Sequence, residues 1–325
     1  MTETLGEFGR IRRYFAPLAG PGGLGLKDDA ALIDCASGRR LVVTVDAMVE
    51  GVHYLPDDPP ELVAKKLLRV NLSDLAAKGA RPLYYLLTTA LPANFGDDWV
   101  ARFAAGLADD QPRFGVALLG GDSVSTSGPV VLSLTALGEV VAGAEIRRSG
   151  ARDGDRVWVS GTIGDAHLGL RVLRGAYSQL DPAERALLVA RFQLPEPRTA
   201  LGPRLVGVAH AMCDVSDGLI ADLEHICEAS CVAAAVELAS LPLSGPASRL
   251  AEQEPDLPVR LATAGDDYEL LFTAPAAATA AIEQLAAELN LPITPIGIVE
   301  SGSGVRLLAP DGQPVPIAAP GYRHF

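Results

Sequence analysis

The sequence predicts an α/β fold of the mixed α+β type, with two domains covering residues 1–143 and 144–325. Its length of 325 residues exceeds the usual size of a single domain. Short apolar runs typical of strands alternate with amphipathic stretches typical of helices, and the polar segment Ala144–Asp155 interrupts them. Because 49% of the residues are hydrophobic, each domain can build a core of its own.

The first domain is predicted to contain a mixed sheet with helices, arranged around the stretch Leu41–Pro82. Successive side chains of a strand alternate between faces, so Thr44 and Asp46 lie on one face of the strand that opens this stretch. The next helix begins near Pro60 and presents Asp74 on its polar side. The two acids are therefore placed to share a metal ion. The other predicted elements are helices over 6–16 and 97–114 and strands over 83–90, 116–119 and 129–138.

The second domain is predicted to be of the α+β class. A strand is followed by a glycine-containing turn and a helix, and later Leu219 begins a helix with apolar residues at helical spacing. An alanine-rich stretch near the end of the chain predicts a surface helix. The predicted ranges are strands over 156–160 and 270–273 and helices over 165–173, 183–192 and 276–289.

The charge balance limits the possible partners. The chain has 27 basic and 40 acidic residues, a formal net charge of −13. Nucleic acids and anionic membrane surfaces require a basic face, so neither is a predicted partner. Small phosphorylated ligands remain possible, because carboxylates can hold them through Mg²⁺.

The cysteines and the first residues predict a cytoplasmic protein. The four cysteines are too scattered for a zinc site, although Cys227 and Cys231 are close, and they read as reduced thiols. Residues 1–15 contain no apolar core of a signal peptide, and no run of 18 uncharged apolar residues is present.

Acids and glycines recur where strands or turns are predicted to end. Each instance alone is first a turn signal. Together they indicate a site with several metal ions, because glycines allow close approach to phosphate oxygens and acids hold the accompanying Mg²⁺. The instances are Asp28-Asp29, Asp46, Gly121-Asp122, the run from Asp214 to Gly218, and Asp266-Asp267.

The common nucleotide-binding signatures are absent from the sequence. It contains no Gly-x₄-Gly-Lys-Ser/Thr loop, no Gly-x-Gly-x-x-Gly that opens a helix after the first strand and no His-Arg-Asp motif. Phosphates would therefore be bound by a different architecture. A lone histidine such as His53 after the first strand is more often a structural or surface residue than a ligand-binding one.

Several motifs resemble those of the thiamine-monophosphate kinase family, within the superfamily of aminoimidazole-ribonucleotide synthetase. The resemblance extends from about Gly6 to the end of the chain. The motifs are Thr44-Val45-Asp46 with Glu50-Gly51-Val52-His53, the run Asn71-Leu72-Ser73-Asp74-Leu75-Ala76-Ala77, Gly120-Gly121-Asp122, Arg148-Ser149-Gly150, Asp214-Val215-Ser216-Asp217-Gly218 and Asp267-Tyr268-Glu269-Leu270.

The resemblance implies a homodimer whose N-terminal sheets pair, with the active site in the cleft between the domains. The first domain would bind ATP and Mg²⁺ and the second would close the cleft. The implied reaction is in-line phosphorylation of thiamine monophosphate by ATP, the last step of thiamine diphosphate synthesis, with no general base. The implied Mg²⁺ ligands are Asp29, Thr44, Val45, Asp46, Asp74, Asp122, Asp214 and Asp217, the ATP contacts are Gly121, Asp122, Arg148 and Ser216, and the thiamine-phosphate contacts are His53, Glu269 and Tyr322.

Three departures from the family pattern leave questions open. Lys27 precedes the first acid pair, Asp266 replaces an expected Glu, and Val45 carries no hydroxyl, so a backbone carbonyl would have to act there. The roles of Asp28 and Asp267 as ligand, cap or supporting residue stay open. The alternatives are another enzyme of the superfamily, or a nucleotide-binding protein without turnover.

Overall fold

The computed structural model describes residues 10–20, 36–93 and 95–322. The chain forms two compact units. The first runs to Leu75 and from Ala80 to Gly143, and the second comprises Ala76–Gly79 and the chain from Ala144 onward. Asp28 and Asp29 lie outside the described residues, as does the part of the predicted first helix before Arg10.

The first unit contains a four-stranded sheet and two long helices. The strand order is β1-β4-β2-β3, with β3 parallel to β2 and the other pairs antiparallel. The predicted mixed sheet and both helices are confirmed. The elements are β1 (Arg39–Val49), α1 (Pro60–Ala77), β2 (Arg81–Pro92), α2 (Asp97–Phe114), β3 (Ala117–Thr126) and β4 (Val131–Val141), preceded by short helical turns at Ile11–Phe15 and Ala16–Leu18.

The two helices of this unit pack closely and share a buried ion pair. A Cβ at Gly106 of α2 would lie 2.3 Å from the carbonyl oxygen of Glu61, so only glycine permits this approach to α1. Arg69 of α1 donates to both carboxylate oxygens of Asp110 of α2, at 2.6 and 2.9 Å, and both side chains are nearly inaccessible. Loss of one partner would leave a buried charge, which is strongly destabilising.

One face of the first sheet is buried and the other is apolar and exposed. Residues paired across the ladder share a face, and the inner row includes Ala136 and Leu134, which are fully buried. On the outer face Val45 is 60% exposed. The exposed apolar residues of that face, here called the outer apolar face, are Val43, Val45, Leu86, Val124 and Val141.

The second unit contains a six-stranded sheet in the order β10-β7-β9-β5-β8-β6. All its strand pairs are antiparallel except β10 with β7. As predicted, the helix that begins at Leu219 buries Leu219, Leu223, Ile226 and Cys227. The elements are β5 (Arg156–Ser160), α3 (Asp165–Leu173), α4 (Pro182–Gln193), β6 (Ala211–Asp214), α5 (Leu219–Ser230), β7 (Ala233–Glu237), α6 (Gly245–Gln253), α7 (Leu257–Ala262), β8 (Leu270–Ala274), α8 (Thr279–Leu289), β9 (Ile293–Glu300) and β10 (Gly304–Leu308).

Two acids predicted at strand ends lie inside strands. β1 continues past Asp46 to Val49, and β3 continues past Asp122 to Thr126, because each strand keeps a neighbour along its whole length. A Cβ at Gly121 would lie 1.8 Å from the carbonyl oxygen of Leu87. This glycine is therefore required by the packing of β3 on β2, whatever ligand it also meets.

No helix among the described residues is long and apolar enough to cross a membrane.

Candidate active site

In the first unit, β1 and α1 meet through polar side chains. The hydroxyl of Thr44 donates to Oδ2 of Asp74 at 2.6 Å. One turn earlier in α1, the amide oxygen of Asn71 accepts from the backbone N–H of Asp46 at 3.0 Å, and its Nδ2 donates to the carbonyl of Leu67 at 2.9 Å. Asn71 is fully buried, so these bonds fix the register between strand and helix. The structure thus brings together three predicted metal ligands, and we name them the strand–helix cluster: Thr44, Asp46 and Asp74.

Asp122 lies on the opposite face of the same sheet. Asp46 pairs with Leu134, and Leu134 with Leu87, so these share the inner face. Asp122 pairs with Thr88, the next residue along β2, and therefore points outward. Within one chain Asp122 therefore does not join the strand–helix cluster.

A bulge in β3 causes this change of face. The register between β2 and β3 shifts after Tyr85, because Leu118 pairs with Tyr85 and Gly120 with Leu86, which leaves Leu119 without a partner in the ladder. An extra residue of this kind reverses the alternation that follows it. In a regular strand Asp122 would share the inner face with Leu118.

The side chain of Val45 also belongs to the outer apolar face. It is 60% exposed and has no polar atom, so only its backbone carbonyl is available to a metal. The departure from the family pattern at this position therefore removes a hydroxyl from the outer face and leaves the inner cluster unchanged.

His53 is held in one orientation by its own turn. Its Nδ1 accepts from the backbone N–H of Val49 at 3.0 Å, and the nearly inaccessible Lys66 donates to its carbonyl at 3.0 Å. Because Nδ1 is an acceptor, the proton of the neutral ring is on Nε2. The ring is half-buried and presents a donor, which suits contact with a phosphate or a carbonyl.

In the second unit, one carboxylate organises the loop between β6 and α5. Oδ2 of Asp222 accepts from the backbone N–H groups of Ser216, Asp217 and Gly218 at 3.0–3.1 Å. Burial raises the pKa of Asp222 to about 7, and these N–H donors oppose that shift. Asp214 is the last residue of β6 and is buried, whereas Asp217 is half-buried.

A second loop lies directly against this one. The backbone N–H of Asp266 donates to the carbonyl of Ser216, and that of Tyr268 donates to the carbonyl of Val215, both at 2.8 Å. Asp266 and Tyr268 adopt left-handed backbone angles, with φ of 73° and 52°. Such strained non-glycine residues concentrate at functional sites.

Tyr322 joins the same group through its backbone. Its N–H donates to the carbonyl of Asp217 at 2.9 Å, and its side chain is 52% exposed. Arg148, a predicted ATP contact, has an exposed side chain, and its carbonyl accepts from the hydroxyl of Ser230 at 3.1 Å.

Glu269 is the centre of a buried ion-pair network. It is 1% exposed, and its carboxylate accepts from the hydroxyl of Ser160 and from Nε of Arg198, both at 2.6 Å. A second bond from Arg198 and one from Arg191, at 3.4 Å, occupy its other oxygen. A carboxylate offers about four lone-pair sites, and four bonds already use them. A direct contact of Glu269 with thiamine phosphate, as the resemblance implies, would therefore have to displace one of these bonds.

Asp267 is a helix cap, which answers the question left open by the sequence. It is buried and accepts from the backbone N–H of Gly164 at 2.7 Å and, at 3.5 Å, from that of Ala166, at the start of α3. Burial raises its pKa well above the ordinary value of 3.8. The sequence analysis also missed three residues. Asp222 bonds backbone N–H groups only four to six residues away, whereas Arg191 and Arg198 reach Glu269 from 78 and 71 residues earlier in the chain.

Comparisons with known proteins identify the class. Two domain families match the chain. The N-terminal domain of AIR synthase related proteins matches residues 27–140, and the C-terminal domain of AIR synthase related proteins matches residues 152–309. A thiamine-monophosphate kinase of Caulobacter vibrioides is 44% identical over 306 residues, which cover 92% of this chain and 85% of that protein.

Solved structures agree with that assignment. The thiamine-monophosphate kinase from Stenotrophomonas maltophilia K279a has 42% sequence identity and a TM-score of 0.81, covering 89% of this chain and 91% of that one. The structure described as AaThiL complexed with AMPPCP and TMP has 33% identity and a TM-score of 0.78, and covers all of both chains. The fold and the sequence place the chain among the AIR synthase related proteins. Within them, it belongs to the thiamine-monophosphate kinase family.

Proposed function

We propose that this protein transfers a phosphoryl group from ATP to thiamine monophosphate, forming thiamine diphosphate. The observation that carries the proposal is the strand–helix cluster, in which Thr44 bonds the carboxylate of Asp74 and Asn71 bonds the backbone N–H of Asp46. The family assignment and the relative solved with AMPPCP and TMP support the choice of substrates.

The chemistry requires charge neutralisation and positioning. The attacking oxygen belongs to a phosphate whose second pKa is about 6, so it is ionised near neutral pH without a general base. The obstacle is repulsion between two polyanions, which Mg²⁺, when bound, screens while it orients the phosphates. Carboxylates and a hydroxyl are hard oxygen ligands of the kind Mg²⁺ prefers, so the cluster fits this ion.

The residues of the first unit would share this work. Asp46 and Asp74 would hold the ion, Thr44 orients the carboxylate of Asp74, and Asn71 fixes the backbone at Asp46. We assign the remaining proposed Mg²⁺ ligands Asp29, Asp122, Asp214 and Asp217, the carbonyl of Val45, and the ATP contacts Gly121, Asp122, Arg148 and Ser216, from the family resemblance.

Two residues are suited to thiamine phosphate. His53 presents an Nε2–H donor, which suits a phosphate oxygen. The exposed ring of Tyr322 suits the thiazolium cation, an attraction worth about 0.5–2 kcal/mol. We assign Glu269 an indirect role, in which it positions Arg198 and Arg191.

We further propose that the protein is a homodimer formed through the outer apolar face. Exposed apolar side chains gathered on one face of a sheet mark interaction sites, and Asp122 lies on the same face. Asp122 would then serve a site completed by the second copy. The variant Val45→Glu should sediment as a folded monomer, whereas Leu187→Glu, at an exposed apolar position on α4, should not change the mass. A dimer that persists in Val45→Glu would exclude this face.

A cytoplasmic location also belongs to the proposal. It is supported by Cys213, Cys227 and Cys231, which are free thiols among the described residues.

The test is product formation by the purified protein with ATP, Mg²⁺ and thiamine monophosphate, with thiamine as the control acceptor. Thiamine diphosphate formed only from the monophosphate, and abolished by a chelator, would support the proposal. ADP release without that product would indicate another acceptor. ATP binding without turnover would favour a regulatory protein.

A further inference from the structure

A second group of ligand-type side chains lies on the second unit. Ligand atoms of Asp217, Asp222 and His225 all lie within 4.8 Å of one another, the one such group of three found among the described residues. Asp217 is in the loop after β6, and the other two are three residues apart in the first turns of α5. We call this the α5 triad.

One carboxylate oxygen of Asp222 has no hydrogen-bond partner among the described residues. The side chain is 1% exposed, and Oδ2 is occupied by the three backbone N–H donors of the loop. Oδ1 is buried and has no hydrogen-bond partner. Buried polar atoms without partners are rare in folded proteins and call for an explanation such as an ion or a water.

Unlike the buried side chain of Asp222, the imidazole ring of His225 can move towards the two acids. Its side chain is 45% exposed, and its Nδ1 lies 3.9 Å from Glu228, too far for a hydrogen bond. A shift of this ring therefore costs little. An imidazole beside two carboxylates extends the preference from Mg²⁺ to ions such as Mn²⁺ or Zn²⁺.

We propose that Asp217, Asp222 and His225 together bind a divalent cation, with Oδ1 of Asp222 and the imidazole of His225 as ligands. Of these three residues, the proposed function assigns only Asp217 to a metal. The inference therefore rests on the proposed function for Asp217 and is independent of it for Asp222 and His225. Three protein ligands leave coordination positions for water or a phosphate oxygen. Because the α5 triad includes an imidazole, Mn²⁺ should bind to it more tightly than Mg²⁺.

The test uses Mn²⁺ as the probe, on the full chain without nucleotide. Pulsed electron paramagnetic resonance detects the ¹⁴N nucleus of an imidazole bound to Mn²⁺. The strand–helix cluster contains only oxygen ligands, so the nitrogen signal distinguishes the two places. We expect the signal in the native protein, its loss in His225→Gln, and its retention in His167→Gln, at a half-buried histidine of α3 outside the triad.

Asp222→Asn provides an independent arm. The amide oxygen can still accept from the loop N–H groups, so the loop is kept while the negative ligand is removed. We expect this variant to bind Mn²⁺ more weakly and to lose the nitrogen signal. Circular dichroism checks that the variant is folded. A native protein without the signal, or a signal that survives in His225→Gln, would overturn the inference. Turnover is measured separately, so a nitrogen signal in a protein that makes no thiamine diphosphate would refute the proposed function and leave the triad standing.

Discussion

The two units hold their acids in different ways. In the first unit, Thr44 and Asn71 bond Asp74 and Asp46 through side chains that project from a regular strand and helix. In the second, Asp222 holds a loop by its backbone N–H groups, and a further loop with left-handed residues lies against it. The first arrangement depends on the register of two regular elements, whereas the second depends on close backbone packing. Substitution of Asp74 should therefore affect chemistry, whereas a substitution that separates the packed loops of the second unit should affect stability.

The largest expected effect is that of Asp74→Asn. The amide keeps an acceptor for Thr44 but loses the charge that holds a cation, so the fold should persist while catalysis fails. We expect kcat/KM to fall by about 10³-fold, or roughly 4 kcal/mol of transition-state stabilisation. Steady-state kinetics with thiamine monophosphate measure this.

The matched control is Asp109→Asn, an exposed acid of α2 paired with Lys65, which should leave kcat/KM unchanged. Near-normal turnover in Asp74→Asn would remove this acid from the metal site.

Gly265→Ala should destabilise the second unit. A Cβ at this position would lie 2.2 Å from the carbonyl oxygen of Ser216, so the two loops would have to separate. We expect a loss of about 1–3 kcal/mol, measured by thermal or denaturant unfolding. In Gly245→Ala the nearest atom would be 3.7 Å away, and stability should hardly change. Equal stabilities of the two variants would show that the loops are not tightly packed.

A smaller effect concerns the pH dependence of stability. Asp267 faces Asp165 and Glu269, and burial raises its pKa well above 3.8 in the folded state. Between the unfolded and the folded pKa the native state binds more protons, so this group's contribution to stability falls as the pH rises through that range.

Asp267→Asn removes this titration and retains an acceptor for the N–H of Gly164. The Tm of the variant should therefore decline less than that of the native protein as the pH rises above about 4. Parallel Tm profiles would show that Asp267 does not titrate in this way.

The sequence was sufficient where local patterns decide the structure. Helix α2 begins at Asp97 and ends before Gly115, as the predicted range did, because Gly115 takes a left-handed angle at the end of the helix. The placement of Thr44 and Asp46 on one face of β1 followed from strand alternation and is confirmed by the register of β1 with β4.

The sequence was insufficient where contacts between distant residues decide. The outward direction of Asp122 depends on a bulge at Leu119, which is defined only by the pairing of β3 with β2. The engagement of Glu269 depends on Arg198, 71 residues earlier in the chain. Neither contact can be predicted from local sequence spacing. Asp122 and Glu269 were therefore assigned as ligand-binding residues from their motifs alone.

The central claim is that the strand–helix cluster holds the catalytic cation, and a change of metal preference in Asp74→Cys tests it most directly. A thiolate is a poor ligand for Mg²⁺ and a good one for softer ions such as Cd²⁺. We predict that this variant is inactive with Mg²⁺ and regains turnover with Cd²⁺, whereas Asp109→Cys keeps the metal preference of the native protein. Full turnover of Asp74→Cys with Mg²⁺ would contradict the claim.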